Sequence, residues 1–425
     1  MFKLEAFFNP YLPSGQSRLD AVLTITADPE NGATPAVGSK RVIGFVLDTS
    51  GSMANEKLAS AKLALRRCID LLDANTHFFV VRYNLVATVV VPVQQASAEN
   101  KACAHQLVQQ LNATGGTALS AGLLCAKKQI ESHGEAMASV YFLTDGENSA
   151  EDRSRLAEAI ETCKGAFQCD CRGVGTDWHP AELRAISTGL LGNADAVPNP
   201  AALERDFHDF LQRSLSKDIA GARLRLWTPK VVRLAAVKQV SPEIVDLQPL
   251  ATHIDEKTTD YPLGAWGKEA RDYQLTFEIN AGAIGEEVLL CRPALMHGEA
   301  SRENKVTGNP IVATWSDDAV LTTRINGEVA HYTGQSELAE AIQEGLEAKA
   351  RGEDDRATRL LGRAAQLAAG AGNEEVTRRL RKVVDVVDAL AGTVRLRKAD
   401  KAADLELEMG GTRTVRKRSQ AAANS

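Results

Sequence analysis

The chain has 425 residues, which exceeds one average domain and predicts two or three structural units. Hydrophobic residues account for 44% and charged residues for 24%, a composition typical of a soluble globular protein. The formal net charge of −6 gives no reason to expect nucleic-acid binding. The first ten residues lack the layout of a signal peptide, and Arg82 and Asn84 interrupt the best candidate for a membrane span, so we expect no membrane association.

The chain contains seven cysteines, an odd number at an ordinary density for its length. This usage predicts free thiols in a reducing cytoplasm. Cys163, Cys169 and Cys171 raise the alternative of a zinc site, but no second C-x-x-C pair is present to complete a tetrahedron. Since Cys169 and Cys171 fall on one face of a predicted strand, we favour packed core thiols.

The amino-terminal region, residues 1–37, alternates apolar and polar side chains from Leu19 to Ala27 and predicts one or two half-buried strands. A lone hairpin is not stable in water, so these strands need a partner sheet elsewhere in the chain. Residues 219–330 offer that sheet, because they contain short alternating stretches separated by Gly, Pro and Asn. We therefore predict a β-sandwich made from both regions, with the intervening residues inserted into it.

The inserted region, residues 38–218, alternates strands with helices and predicts a Rossmann-like, doubly wound and mostly parallel α/β sheet. Its centre is the unbroken apolar run 42–47, which is typical of a strand covered on both faces. The polar loop 48–52 follows directly, at the end of the strand where such folds place ligand sites. Its carboxylate and hydroxyl oxygens suit a hard cation, Mg²⁺ or Mn²⁺.

Three motifs in this region occur together and in a characteristic order. The loop 48–52 reads D-x-S-x-S, a Gly-Gly-Thr loop ends at Thr117, and Asp145 follows a predicted strand. With these motifs, residues 38–215 resemble the von Willebrand factor A domain family. The resemblance implies an adhesion-type metal site formed by five residues: Asp48, Ser50, Ser52, Thr117 and Asp145. It also implies a protein partner that donates an Asp or Glu carboxylate to the ion.

The carboxyl-terminal part of the chain changes character twice. Residues 334–392 have helical periodicity, with glycines between three apolar faces, and predict a small helical bundle. Residues 393–425 are polar, and we expect a disordered tail. Thr412 and Thr414 would then be exposed hydroxyls beside arginines and are candidate phosphorylation sites, with a kinase or a phosphopeptide-binding protein as partner.

Three classes of function fit these features. We favour a non-enzymatic, metal-dependent protein-interaction module of bacterial type in an intracellular assembly or a signalling or stress system; the intracellular relatives that it resembles often act with AAA+ ATPases. An alternative is a metal-dependent hydrolase using Asp48, Asp145 and Glu147, but no nucleophile paired with a general base lies near the motifs. The last is a structural scaffold with an unused site.

Overall fold

A computed structural model describes residues 2–28, 41–134, 136–298, 303–398 and 400–416. The chain divides into two compact units. The first, here called the sandwich unit, takes its described residues from 1–34, 219–400 and 410–425. The second, here called the α/β unit, takes them from 35–218 and 401–409.

The strands of the described residues follow in chain order: β1 (Phe2–Phe8), β2 (Tyr11–Pro13), β3 (Arg18–Ala27), β4 (Arg41–Asp48), β5 (Thr76–Tyr83), β6 (Ala87–Gln95), β7 (Met137–Thr144), β8 (Gln168–Val174), β9 (Ala194–Val197), β10 (Ile219–Trp227), β11 (Val232–Ser241), β12 (Val245–Asp246), β13 (Thr252–His253), β14 (Thr258–Trp266), β15 (Glu269–Ile279), β16 (Glu287–His297), β17 (Asn304–Thr307), β18 (Ile311–Ser316), β19 (Val384–Asp388) and β20 (Thr393–Leu396).

The helices of the described residues follow in the same order: α1 (Glu56–Leu71), α2 (Ala98–Gln109), α3 (Leu119–His133), α4 (Ala150–Cys163), α5 (Pro180–Gly189), α6 (Leu203–Leu215), α7 (Ala319–Thr322), α8 (Gly327–Ala350), α9 (Asp354–Ala371), α10 (Glu374–Val383) and α11 (Lys401–Gly410).

The sandwich unit contains two large sheets. Each sheet combines one or two amino-terminal strands with strands from residues 219–316. One sheet has the order β1-β3-β15-β11-β12, and the other has the order β13-β14-β10-β16-β18-β2, with β17 added to β16. The β3 strand lies between β1 and β15 and pairs antiparallel with both. The β2 strand pairs in parallel with β18. The amino-terminal strands therefore complete sheets that residues 219–316 begin, and the fold class predicted from the sequence is confirmed.

Side chains from one sheet contact the other through buried aromatic and cationic groups. The ring of Phe2, on β1, meets the ring of Trp266, on β14, edge to face with centroids 5.5 Å apart. The guanidinium carbon of Arg271, on β15, lies 4.1 Å from the centroid of the Trp266 ring. Arg271 also donates to the backbone carbonyls of Leu263 at 2.7 Å and Ala265 at 2.8 Å. These bonds satisfy a buried cation that would otherwise destabilise the fold.

The α/β unit is built on one sheet with the order β6-β5-β4-β7-β8-β9. All neighbouring strands are parallel except β5 and β6. Apolar clusters cover both faces of this sheet: α1 and α6 contribute to one, and α3, α4 and α5 to the other. Residues 42–48 of β4 are buried throughout, which explains why that segment shows no apolar–polar alternation.

The helical region contains α8, α9 and α10, but the third helix is shorter than the sequence pattern predicts. It ends at Val383, and two apolar residues beyond it, Val387 and Leu390, are exposed in β19 and the turn after it. The reason is a hairpin in which β19 pairs antiparallel with β20. Val387 lies at the register shift between the pairs Val386↔Val394 and Asp388↔Thr393 of this two-stranded sheet.

The prediction of a disordered tail is wrong for the described residues after 392. Residues 393–396 form β20, and residues 401–410 form α11. Leu405 and Met409 of α11 are buried in the apolar cluster of the α/β unit, which explains why the segment is ordered. Charged residues alternate with apolar ones here, a period of two that does not predict a helix. Residues 417–425 lie outside the described part of the chain.

Thr412 and Thr414 are not the exposed hydroxyls that we expected. Both are half-buried in the sandwich unit. The Thr412 hydroxyl donates to the Glu243 carboxylate at 2.8 Å, and the Thr414 hydroxyl donates to the Val240 carbonyl at 2.6 Å. Phosphorylation of either residue stays a prediction, and it would have to break one of these bonds.

Candidate metal centre

The loop after β4 is held by the side chain of Asp48, the last residue of that strand. One Asp48 carboxylate oxygen accepts the backbone N–H of Ser50 at 2.7 Å, and the other accepts the Thr144 hydroxyl at 2.7 Å. The first bond turns the chain sharply after the strand, and a short 3₁₀ turn then spans Gly51–Met53. Asp48 therefore fixes the direction in which the serine hydroxyls of this loop project.

The loop after β7 brings a second carboxylate to the serine hydroxyls. The Ser52 hydroxyl donates to Asp145 Oδ1 at 2.7 Å, and Ser50 Oγ lies 3.5 Å from the same oxygen. The two serine oxygens are 3.0 Å apart. Since β4 and β7 are adjacent parallel strands, their carboxyl ends meet at one edge of the sheet, and residues distant in sequence become neighbours.

Thr117 reaches the same place on a third loop. The carbonyl of Gly115 accepts the N–H of Gly51 at 2.8 Å, which ties the third loop to the first. A methyl group placed on Gly146 would lie 3.1 Å from Ser52 Oγ and 3.3 Å from Thr117 Oγ1, so both hydroxyls flank this glycine. The structure thus brings together all five side chains that the resemblance implied.

The electrostatics of the site follow from the burial of two carboxylates side by side. Asp48 and Asp145 are both fully buried. Desolvation raises the pKa of Asp48 from 3.8 to about 6, although its bonds to Ser50 and Thr144 oppose the shift. The charge of Asp145, a smaller cause, adds to the increase of the Asp48 pKa. A cation placed near these carboxylates would stabilise their ionised forms and so oppose the increase of the Asp48 pKa.

One functional residue that sequence reasoning missed is Lys57, in the first turn of α1. Its ammonium group lies 2.6 Å from Asp145 Oδ2, the oxygen not bonded to Ser52. A lysine five residues after the D-x-S-x-S motif carries no distinctive pattern, because helix starts are commonly polar. Only the position of α1 against the loop after β7 shows that the Lys57 ammonium pairs with a carboxylate of the site.

The donor set fits a hard divalent cation. It consists of two carboxylates and three hydroxyls, and Mg²⁺ binds oxygen ligands of this kind with few carboxylates. The glycine at 146 leaves room between the Ser52 and Thr117 hydroxyls that a side chain would fill. Within the described ranges no group of three or more His, Cys, Asp and Glu side chains could hold a metal, so an ion here would depend on the hydroxyls.

The three cysteines considered for zinc lie in the apolar core of the α/β unit. Cys163, Cys169 and Cys171 are buried as free thiols, with the sulfurs of Cys169 and Cys171 3.9 Å apart. Burial raises the pKa of the Cys163 thiol to about 12, as expected for a thiol packed in an apolar core. The prediction of packed core thiols is confirmed.

Glu147, the carboxylate that the hydrolase alternative uses as a base, lies just after Asp145 on the exposed side of the loop. Its oxygens lie 3.7 Å from the Arg153 guanidinium and 3.6 Å from His179 Nε2. These contacts orient it towards a surface cation rather than towards the serine hydroxyls. Glu147 is therefore an exposed carboxylate in contact with two surface side chains.

The open, mostly parallel sheet with an oxygen-lined site at the carboxyl ends of its strands places the α/β unit in the class of doubly wound α/β folds. Comparison with known proteins gives the family. The von Willebrand factor type A domain model matches residues 43–207, and the von Willebrand factor type A C-terminal domain model matches residues 366–411. A solved structure of a von Willebrand factor type A protein from Catenulispora acidiphila is 39% identical, with a TM-score of 0.90. The alignment covers 98% of this chain and 97% of that one. The chain therefore belongs to the von Willebrand factor type A family.

More distant relatives share smaller parts or the fold alone. The uncharacterized protein sll0103 of Synechocystis is 29% identical over 241 residues, or 55% of this chain and 56% of that protein. Human inter-alpha-trypsin inhibitor heavy chain H4 is 27% identical over 40% of this chain and 19% of its own length. The chain thus spans about half, or less, of these two curated relatives. The ArnB paralog VWA2 of Sulfolobus acidocaldarius, at 13% identity and a TM-score of 0.61 over 97% of this chain, shows the same fold.

Family membership supports the general class of function predicted from the sequence. Von Willebrand A domains are protein-interaction modules, and a protein partner is the expectation for this chain. No helix among the described residues combines the length and apolar character needed to cross a membrane.

Proposed function

We propose that this protein is a metal-dependent protein-interaction module whose ion site lies at the carboxyl ends of β4 and β7. The observation that carries the proposal is the convergence of Ser50, Ser52 and Asp145 within hydrogen-bond distance, beside Asp48 and Thr117. Apart from the exposed Ser52, these side chains are buried, and hydrogen bonds hold the two carboxylates in place, so they form a preorganised oxygen cluster. Such a cluster is what a hard cation needs, and Mg²⁺ or Mn²⁺ is the ion that we assign to it.

The five residues would supply two kinds of oxygen ligand, neutral and negatively charged. The hydroxyls of Ser50, Ser52 and Thr117 would supply neutral oxygens, and Asp48 and Asp145 would supply the negative charge that holds a divalent ion. Burial penalises the ionised form of Asp48, and a nearby divalent cation would stabilise that form. Ion binding and deprotonation of Asp48 would therefore favour each other.

The partner that fits this site donates an Asp or Glu side chain to the ion. Beside the site, Leu85 and Val86 are 56% and 63% exposed, at the turn between β5 and β6. A methyl group on Gly116 would lie 3.2 Å from Leu85 Cδ2, so this apolar turn adjoins the loop that carries Thr117. One carboxylate contact in water gives modest affinity, and burial of Leu85 and Val86 would supply more. We place this interaction in an intracellular assembly, with an AAA+ ATPase as one class of partner.

The test is affinity capture with the full-length protein as bait, in Mg²⁺ and in EDTA. A partner should be retained in Mg²⁺ and lost in EDTA, and Thr117→Ala should weaken its retention without unfolding the bait. Thr176→Ala is the matched control, because it removes a threonine hydroxyl just beyond the end of β8 that bonds Asp177 instead of the cluster. Partners retained equally in EDTA would contradict a metal-dependent interaction.

A further inference from the structure

A groove runs along α1 of the α/β unit, between that helix and residues 109–113. Its volume is about 460 Å³, which lies within the range of pockets that hold small molecules. Its lining includes Leu58 and Leu111, which are buried, and Leu63, which is 48% exposed. The groove thus combines apolar and polar lining residues and is large enough for a small organic group.

Two cations project into this groove from successive turns of α1. Lys62 and Arg66 are four residues apart, so they lie on the same side of the helix. The ammonium of Lys62 donates to the Gln109 carbonyl at 3.0 Å, and Arg66 Nη1 donates to Gln109 Oε1 at 3.3 Å. Both acceptors are neutral, and within the described part of the chain no carboxylate pairs with either cation. Two positive charges in a groove without a counter-charge favour an anionic ligand.

The Arg66 side chain has an unused donor. Its Nε atom is buried and has no hydrogen-bond partner among the described residues. A buried N–H without an acceptor is costly, and native structures seldom leave one without a reason. A guanidinium presents its N–H groups in a planar fork, which matches two oxygens of one carboxylate or phosphate. An oxyanion bound there would satisfy Nε and a second N–H together.

The rim of the groove carries a strained residue. Asn55, the residue before α1, has φ 65° and ψ −122°, a conformation that residues other than glycine rarely adopt. Its side chain makes no capping bond to the helix, although asparagine at this position usually does. Strain of this kind persists where the surrounding structure enforces it, and it concentrates at ligand sites. The Asn55 amide thus adds a polar group to the lining of the groove.

From these four observations we infer that the groove along α1 binds a small organic oxyanion, a carboxylate or a phosphate monoester, through Lys62 and Arg66. The apolar part of the ligand would lie against Leu58, Leu63 and Leu111. This site is separate from the oxygen cluster and does not depend on the proposed function. It gives the α/β unit a second ligand, of opposite charge to the cation.

The test is calorimetric titration of the full chain with phenyl phosphate, phenylacetate and inorganic phosphate, in buffer freed of divalent cations by a chelating resin, because EDTA is itself a carboxylate that would compete. Phenyl phosphate or phenylacetate should bind saturably and more tightly than inorganic phosphate, because the groove is partly apolar. Arg66→Met and Lys62→Met should each weaken binding by about tenfold, the effect of losing a charged hydrogen bond. The preferred probe then identifies the oxyanion.

Arg67→Met is the matched control, because it removes the same charge one position along α1, where Arg67 pairs with Glu204. Its affinity for the probes should equal that of the wild type, and circular dichroism should show that all variants are folded. Two results would overturn the inference: no saturable binding of any probe, or an equal loss of affinity in Arg67→Met.

Discussion

Lys57 and Asp145 set the charge at the candidate metal centre. The ammonium of Lys57 lies 2.6 Å from one oxygen of Asp145, while Ser52 bonds the other oxygen. Lys57 thus orients the carboxylate and also opposes any second cation that approaches it. Coulomb repulsion between a lysine and a divalent ion about 4 Å apart ranges from about 2 kcal/mol in bulk water to about 8 kcal/mol near a protein surface, which is at least comparable to a single good ligand contact.

This balance predicts the effect of removing the lysine. Lys57→Met should raise the affinity for Mg²⁺ by about tenfold or more, because the repulsion disappears while the oxygen donors stay. Isothermal titration of the two proteins would measure the change, and Lys57→Arg, which keeps the charge, should stay close to the wild type. Weaker Mg²⁺ binding in Lys57→Met would instead mean that orientation of Asp145 outweighs repulsion.

Asp48 gives a prediction about pH. Its pKa is about 6 in the folded protein and 3.8 as the ordinary value, so the folded protein holds this proton more tightly than the unfolded chain. Without a divalent ion, the free energy of unfolding should therefore fall as pH rises from about 4 to about 6, and this group should add no further change above that range. The fall attributable to Asp48 is about 3 kcal/mol.

The measurement is denaturant unfolding in EDTA across this pH range, for the wild type and for Asp48→Asn. The amide that Asp48→Asn introduces cannot ionise. The free energy of unfolding of the wild type should therefore fall relative to that of the variant as the pH rises. Parallel pH profiles would show that Asp48 ionises as easily in the folded protein as in the unfolded chain.

At the scale of elements, the hydrophobic pattern of the sequence predicts a helix or strand correctly where the apolar residues of that element are buried. The run 42–47 is apolar because both faces of β4 are covered, and its sequence therefore predicts a central strand. The five oxygen donors were predicted through the resemblance to a known family, which the D-x-S-x-S motif, Thr117 and Asp145 carry. The hairpin β19–β20 and helix α11 were not, since Val387 and Leu390 are exposed apolar residues and α11 alternates charged and apolar side chains. Lys57 and the groove along α1 depend on tertiary contacts that no local pattern records.

The packing of α11 predicts that the carboxyl-terminal segment stabilises the α/β unit. Met409 is 1% exposed and belongs to the apolar cluster on one face of that sheet. Met409→Ala should therefore lower the free energy of unfolding of the α/β unit by about 2–4 kcal/mol, since truncation leaves a cavity. Lys401→Ala, an exposed position on the same helix, should change it by less than about 0.5 kcal/mol. Equal stability of both variants would mean that α11 contributes no packing energy.

At the scale of the whole molecule, the sandwich unit depends on contacts between distant parts of the chain. The β3 strand supplies a neighbour to β15 along its whole length, from Glu269↔Ala27 to Glu278↔Arg18. Tyr273, Leu275 and Phe277 of β15 are fully buried. Without the amino-terminal strands, β15 would become a sheet edge and lose part of its cover.

Deletion of residues 1–28 should therefore abolish cooperative unfolding of the sandwich unit. Tryptophan fluorescence would report it, because three of the four tryptophans, at 227, 266 and 315, lie in that unit. The α/β unit takes its residues from other parts of the chain, so its helical circular dichroism should be retained. An unchanged fluorescence transition would show that residues 219–316 form the sandwich unaided.

The central claim is that five oxygen-bearing side chains at the ends of β4 and β7 and on the Thr117 loop bind one divalent cation. Calorimetric titration of the full chain with Mg²⁺ and Mn²⁺ tests it most directly, with Asp48→Ala as the variant and circular dichroism as the check on folding. The account predicts saturable binding of one ion per chain in the wild type and none in the folded variant. A flat titration of the folded wild type, or equal binding by Asp48→Ala, would contradict it.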